Sequence, residues 1–294
     1  MTFGVETDEG GSHEQLDRFV EAGGTLVDTA DVYGGGQSEE IIGRWFASRP
    51  SDVTERVVLA TKGRFAMGNE PNSLGLSTRH LTRALDASLS RLGLDRVDLY
   101  QVHAFDPLTP LEETLGAFDA LVREGKVRYI AASQYTAPRL VEALAVSQRN
   151  GLARYVALQT HYSLVHRSEY ESALADVCVR ENVAVLPFFA LARGFLSGKY
   201  RPGKDVASAR ASGVKELVGE KGWRVLEPLD QIAAAHRTTV SAVALAWTAA
   251  QKGIAVPLAS ARTRAQLDDL VPYAGLVLTQ GEIARLTAVS ADIG

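Results

Sequence analysis

The sequence predicts an α/β protein whose parallel strands close into a (β/α)8 TIM barrel, with a first strand that is cut short. Three observations predict it. Short strand-like segments alternate with amphipathic helical ones along the chain. Seven such strands can be counted, and an eighth would precede Asp8, which is the number a barrel needs. Finally, 294 residues fit one such barrel as a single domain, 1–294, although ~150 residues per domain would suggest two. An open, doubly wound sheet is the alternative fold, since strand–helix alternation predicts parallel pairing with right-handed crossovers in either case.

The strands are short apolar runs, in order "TLVDTA" (Thr25–Ala30), "RVVLATK" (Arg56–Lys62), "RVDLYQVH" (Arg96–His103), "VRYIAAS" (Val127–Ser133), "YVALQ" (Tyr155–Gln159), "VAVLPFF" (Val183–Phe189) and "IAVPLAS" (Ile254–Ser260). Helical patterns lie between them. Several open with capping-box spacing: Ser12 with Gln15, Thr109 with Glu112, Ser168 with Glu171, Thr263 with Gln266, and Thr279 with Glu282.

Composition excludes several function classes. With 46% hydrophobic and 22% charged residues, the chain can bury a large core. A net charge of −4 gives no basic surface for nucleic acid. One cysteine, Cys178, rules out an internal disulfide and reads as a buried helix residue. No apolar run is long enough for a bilayer and no signal peptide opens the chain, so a cytoplasmic protein without membrane partners is expected. His161 and His166 flank Tyr162 without a cysteine or carboxylate cluster, so no metal site is expected. No helix face nominates an interface, and the oligomeric state is left unassigned.

The residues at the carboxyl ends of the strands are Asp28, Lys62, His103, Ser133, Gln159, Phe188 and Ser260. Singly, each has an ordinary explanation: a helix-capping acid, a surface lysine, a core histidine. A barrel brings all of them to the rim where active sites of this fold sit. Three of these side chains, together with Tyr33 in the loop after the first strand, suit carbonyl reduction. A tyrosine has a pKa of about 10, and an ammonium such as Lys62 beside Tyr33 would lower it. Asp28 would hold the lysine and keep it charged. His103 could hydrogen-bond and orient a carbonyl. The hydride must come from a cofactor.

The motifs "DTADVYGGGQSEEIIG", "LATK", "LDRVDLYQVHAFD", "AASQYTAPRL", "LQTHYSLVHR" and "GFLSGKY" run in one order over nearly the whole chain. Together they resemble the aldo-keto reductase family of NAD(P)H-dependent barrels. The resemblance implies a tetrad of Asp28, Tyr33, Lys62 and His103, with Tyr33 as general acid. It implies that Ser133, Gln134 and Gln159 hold the nicotinamide carboxamide, with Gln134 where asparagine is commoner. Phe188 stands where an aromatic stacks on the nicotinamide, a position where tyrosine is commoner. The loop Phe188–Tyr200 resembles the segment over the pyrophosphate, which brings in Phe189, Leu191 and Gly194, with Arg193 and Lys199 as phosphate contacts. Met1–Gly4 resembles the end of a first strand whose remainder is missing.

The cofactor tail has its own signals. No G-x-G-x-x-G follows a strand, and "YGGG" lacks the ending of a P-loop. In "ASARTRAQL", Ser260, Arg262 and Arg264 surround a helix start, which attracts a dianion. A solvated helix cap is the plainer explanation. The resemblance puts the adenosine 2′-phosphate here, with Gln266 and Asp269 completing the set, so NADPH (NADP+) is expected over NADH. Gln266 departs from a commoner basic residue, and Leu270 from a commoner asparagine. The segment Arg201–Gly222 is expected to be a long mobile loop that orders on NADPH binding. Phe3, Tyr33, Phe65, Phe105 and Trp45 are expected to frame an apolar pocket for a small carbonyl substrate. Two functions follow: a reductase of aldehydes and ketones, or a non-catalytic NADPH-binding regulatory subunit built on the same barrel.

Overall fold

Parallel strands covered by helices on one side and core on the other read as continuous runs of Val, Leu, Ala and Tyr. The computed structural model describes residues 1–70, 72–203 and 211–293. The chain divides into two compact units, residues 1–159 with 260–264, and residues 160–259 with 265–294.

In the first unit, residues Met1 to Thr7 form a tight turn rather than a strand, with Thr7 N bonded to Thr2 O at 3.0 Å. Helix α1 (Glu9–Glu21) follows, then β1 (Leu26–Asp28), α2 (Gln37–Ser48), the single turn α3 (Ser51–Thr54) and β2 (Val58–Gly63). Next come α4 (Thr78–Leu92), β3 (Val97–Val102), α5 (Leu111–Arg123), β4 (Val127–Ser133), α6 (Ala137–Asn150) and β5 (Tyr155–His161). Strands β1 to β5 pair in chain order and all in parallel. The register sets Asp28 beside Ala60, Lys62 beside Gln101, and Ser133 beside Gln159. Sequential parallel pairing therefore gathers the carboxyl ends of these strands, and their polar side chains, along one edge.

Trp45, Tyr100, Phe118 and Tyr155 are fully buried in this unit. Trp45 was expected at a pocket rim. It instead lies in the core on α2, where its indole donates to Asp17 Oδ1 at 2.7 Å and needs no solvent. Helix α2 also packs very closely on the end of α4. A Cβ at Gly43 would sit 2.6 Å from both Arg91 O and Leu92 O, so only glycine fits there.

The second unit carries α7 (Ala175–Arg180), β6 (Ala184–Phe188), α8 (Glu220–His236), α9 (Val240–Ala249), α10 (Arg264–Leu270, whose first residue belongs to the first unit) and α11 (Gln280–Val289). Strand β6 continues the order β1 to β6. Its core holds Trp247, Tyr162, Tyr170 and Cys178. Burial pushes the Cys178 thiol up to about 12, which leaves it inert, as its helical setting suggested.

The segment Ile254–Ser260 follows β6 without becoming a regular strand. Ala255 N bonds Val185 O at 2.9 Å and Leu258 N bonds Pro187 O at 2.8 Å. Pro187 and Pro257 lack the N–H groups that would fill the ladder. Of the anticipated helix starts, Thr279 and Glu282 form a reciprocal capping box. Ser12 lies inside α1, because Asp8 caps one turn earlier by accepting from Gly11 N at 2.8 Å. Thr109 turns away from α5 and donates to Asp106 Oδ2 at 2.7 Å. The anticipated mobile loop falls partly on residues 204–210, outside the described residues.

Candidate active site

Strand β1 ends at Asp28, and the chain then stays bonded along β2 through Thr29 N to Ala60 O and Asp31 N to Lys62 O. Tyr33 opens a short turn in which Gly34, Gly35 and Gly36 all have positive φ, of 60°, 65° and 102°. Three left-handed residues in a row need glycine, and they turn the chain into α2 while Tyr33 stays beside the strand ends. His103 follows β3 and bonds Gly63 O through its backbone N–H at 3.2 Å.

Lys62 is 1% exposed. Its ammonium donates to Asp28 Oδ2 at 2.6 Å, to Thr29 O at 2.8 Å and to Tyr33 Oη at 3.4 Å, which uses all three donors. Burial alone would lower the lysine's pKa. The Asp28 charge and Tyr33 outweigh it and hold Lys62 above its ordinary value, firmly charged. The Tyr33 phenol also stands above its ordinary value. Burial raises it more than Lys62 lowers it, so the lowering expected from the ammonium is present but outweighed.

The His103 ring meets the Tyr33 ring edge-on at 5.6 Å, and the Phe65 ring at 4.7 Å. Burial, then Lys62 and Arg64, push its pKa down to about 3. The imidazole is therefore neutral at physiological pH, a form that can donate a hydrogen bond through one ring nitrogen. Its Nδ1 is buried without a partner.

Two further groups belong to this cluster, Gln101, which was not singled out in the sequence, and Asp31. Gln101 is wholly buried and donates to Asp28 Oδ1 at 2.8 Å. It shares a strand face with His103, two residues on, and that alternation was the available signal. Asp31 is also wholly buried, and burial followed by the Glu39 charge raises it to about 7. Glu39 in turn accepts from Thr61 Oγ1 at 2.5 Å and Arg91 Nε at 2.8 Å.

The expected cofactor residues fall into two sets. In the first unit, Ser133 and Gln159 are buried at the ends of β4 and β5. Gln159 donates to Asp28 Oδ1 at 2.6 Å, so its amide is tied to the tetrad. Gln134 has φ 57° and donates to His103 O at 3.1 Å. Ser260 is exposed. Arg262 is ion-paired with Glu6 at 3.3 Å and Arg264 with Glu14 at 3.3 Å.

In the second unit, Phe188 stacks on His161 at 5.5 Å, and the Arg193 guanidinium lies 4.1 Å over Phe189. Leu191 O accepts from Gly194 N at 2.9 Å. Gly194 has φ 97°, and a Cβ there would sit 3.1 Å from Lys199 Nζ. An ammonium packed on a bare glycine turn is a cradle that suits a phosphate oxygen. Gln266 and Asp269 are exposed on α10. Within the first unit, the hydroxyl and amide groups at the strand ends suit a carboxamide; within the second, the cations beside the glycine turn suit a phosphate. Among the described residues no group of three side chains could hold a metal ion.

Comparison with known proteins agrees with this chemistry. The sequence model of the Aldo/keto reductase family matches residues 1–291. An uncharacterized oxidoreductase, YrpG, of Bacillus subtilis is 34% identical, over 97% of this chain and 88% of that protein. Norsolorinic acid reductase of Aspergillus flavus is 31% identical, over 98% of this chain and 74% of that protein. An aldo-keto reductase of Schizosaccharomyces pombe, yakc [NADP(+)], is 32% identical, over 83% of this chain and 72% of its own length. With strands paired in parallel and in chain order, a strand-end cluster of aspartate, tyrosine, lysine and histidine, and a family match over nearly its whole length, the chain belongs to the aldo/keto reductase family.

Proposed function

We propose that the protein is an NADPH-dependent carbonyl reductase that takes aldehydes or ketones to alcohols. The observation that carries this reading is the single buried ammonium of Lys62, bonded to Asp28 at 2.6 Å and Tyr33 at 3.4 Å. Bound NADPH would supply the hydride, which no side chain can.

Tyr33 Oη donates its proton to the carbonyl oxygen as negative charge develops there. Burial keeps the phenol protonated at rest, and the Lys62 ammonium stabilises the tyrosinate left behind. Asp28 keeps Lys62 charged and fixed. Neutral His103 donates a hydrogen bond to the same carbonyl oxygen and sets its direction. Ser133, Gln134 and Gln159 would hold the nicotinamide carboxamide, and Phe188 would stack on the ring. Phe189, Leu191, Arg193, Gly194 and Lys199 would hold the pyrophosphate. Ser260, Arg262, Gln266 and Asp269 would take the adenosine end with its 2′-phosphate, and a relative named for NADP(+) supports that choice.

The test is NADPH consumption with a reactive aromatic aldehyde, in the wild type and in Tyr33→Phe. Turnover should fall by roughly 10²–10⁴-fold in the variant while NADPH still binds. NADPH binding without turnover in the wild type would overturn the reductase reading in favour of a non-catalytic, cofactor-binding subunit.

A further inference from the structure

Strand β3 carries a second polar side chain on the face of His103. Gln101 is fully buried, and its register partner on β2 is Lys62. Its Nε2 donates to Asp28 Oδ1 at 2.8 Å, and Gln159 Nε2 donates to the same oxygen at 2.6 Å. Lys62 Nζ holds the other oxygen at 2.6 Å. The three donors together leave the carboxylate one orientation.

The chemistry of the amide gives this contact its meaning. A carboxylate only accepts, so Gln101 must face it with its NH₂ group. Its Oε1 is then left buried with no partner. An unpaired buried acceptor destabilises a fold, and an apolar side chain of the same length would remove that penalty. Packing alone gives no reason for a glutamine here. The bond to Asp28 gives one.

We propose that Gln101 is a positioning residue for proton transfer: by bonding Asp28 Oδ1 it fixes the carboxylate on Lys62 and draws part of its negative charge away from Tyr33. The kinetic part of this inference rests on the carbonyl reductase reading, whereas the electrostatic part does not. Tyr33 is faced by Lys62 from β2, Asp28 from β1, Asp31 from the following loop and the neutral His103 ring. Asp28 opposes formation of the tyrosinate and Lys62 favours it. Without the Gln101 donor, Asp28 acts on Tyr33 with its charge less dispersed, and the phenol becomes harder to ionise.

Gln101→Met keeps the length and apolar stem and removes the donor. The Tyr33 ionisation is read as tyrosinate absorbance during an alkaline titration, with the same titration of Tyr33→Phe subtracted in each background. The midpoint should rise by about half a pH unit, roughly a threefold weaker acid. The kcat for aldehyde reduction should fall about tenfold with KM nearly unchanged, and the melting temperature should stay level or rise. Coincident midpoints would overturn the proposal. A lower melting temperature, or a variant that does not fold, would make Gln101 a packing residue and overturn it too. A wild type that binds NADPH without turnover would remove the reductase reading, and the midpoint comparison would still decide the role of Gln101.

Discussion

Lys62 Nζ lies between Asp28 Oδ2 at 2.6 Å and Tyr33 Oη at 3.4 Å, so one buried ammonium serves an anion and a phenol at once. Lys62→Met would leave Asp28 a carboxylate held by two neutral amides alone. Breaking a buried pair from one side typically destabilises by about 3–5 kcal/mol. Asp28 keeps 15% exposure, which places the expected loss near the lower end, about 3 kcal/mol. The sign of its pH dependence follows from the raised lysine pKa. The ammonium's contribution is complete below the unfolded value and is lost only as pH rises through the higher folded value. Urea unfolding at pH 6 to 9 should therefore show a constant gap between wild type and variant, closing only above pH ~10.

His103 gives the opposite signature. Its folded pKa is depressed to about 3 by burial and the nearby cations. Its neutral form is present in both states above the unfolded value of about 6.5, and stability is lost as pH falls toward 3. Between pH 6.5 and pH 4 the wild type should lose about 3 kcal/mol more than His103→Gln. The pH profile of kcat should carry no limb near 6.5. A limb there that vanishes in the variant would show a titrating, not a neutral, imidazole.

The tetrad was legible because Asp28, Lys62 and His103 each end an apolar run, Tyr33 follows the first of them in the adjoining loop, and a parallel sheet with in-order strands brings such ends together. Gln101 was harder to see, since its role depends on Asp28, 73 positions away, and only alternation with His103 hinted at its direction. Asp31 stands out in "DTADVY" as an acid beside Asp28 and Tyr33, but its complete burial does not, because an acid there reads as a solvated loop residue until the fold encloses it. Cap spacing succeeded at Thr279, where both halves of the box are used. It failed at Ser12, where Asp8 caps the helix one turn earlier, and at Thr109, whose hydroxyl donates to Asp106 while α5 starts after Pro110 without a side-chain cap. The Ile254–Ser260 run had strand composition, but its prolines removed the donors that a ladder requires.

Asp31 yields a stability prediction of its own. The carboxyl is wholly buried, its Oδ2 lacks a partner, and its pKa is raised to about 7 by burial and then Glu39. A raised carboxyl pKa means that the folded state resists ionisation, so the penalty grows from pH ~4 to ~7 and is constant above. Asp31→Asn keeps an oxygen for Val32 N, which Asp31 Oδ1 now accepts at 2.6 Å. The variant should be more stable than wild type at pH 8, by up to about 4 kcal/mol. That advantage should shrink toward zero at pH 4. Thermal unfolding at the two pH values measures it, and an advantage equal at both would show that ionisation is not its source.

Gly43 tests the closeness of α2 and α4. A methyl group there would lie 2.6 Å from two backbone oxygens, Arg91 O and Leu92 O, which cannot rotate aside. Alanine is ordinarily the better helix residue by about 1 kcal/mol. At this contact Gly43→Ala should instead destabilise by about 1–3 kcal/mol, as overpacking does. Denaturant midpoints would show it, and a stabilised variant would mean that the helices part easily.

The cofactor preference can be tested at the acid that now occupies Arg262. Glu6 sits in the amino-terminal turn 3.3 Å from the Arg262 guanidinium, and Thr7 Oγ1 holds Arg262 O at 3.1 Å, which keeps the two segments together. A 2′-phosphate arriving at Arg262 must share that cation with a carboxylate or displace it. A partly exposed ion pair of this kind is worth about 1 kcal/mol, so removing the competitor should strengthen NADPH binding by about fivefold. NADH lacks the 2′-phosphate and has nothing to gain from a freed arginine. Fluorescence titration of Glu6→Gln should therefore show tighter NADPH with NADH unmoved. Equal changes for both cofactors would mean that Glu6 shapes the turn and not the charge, and that Arg262 does not read the phosphate.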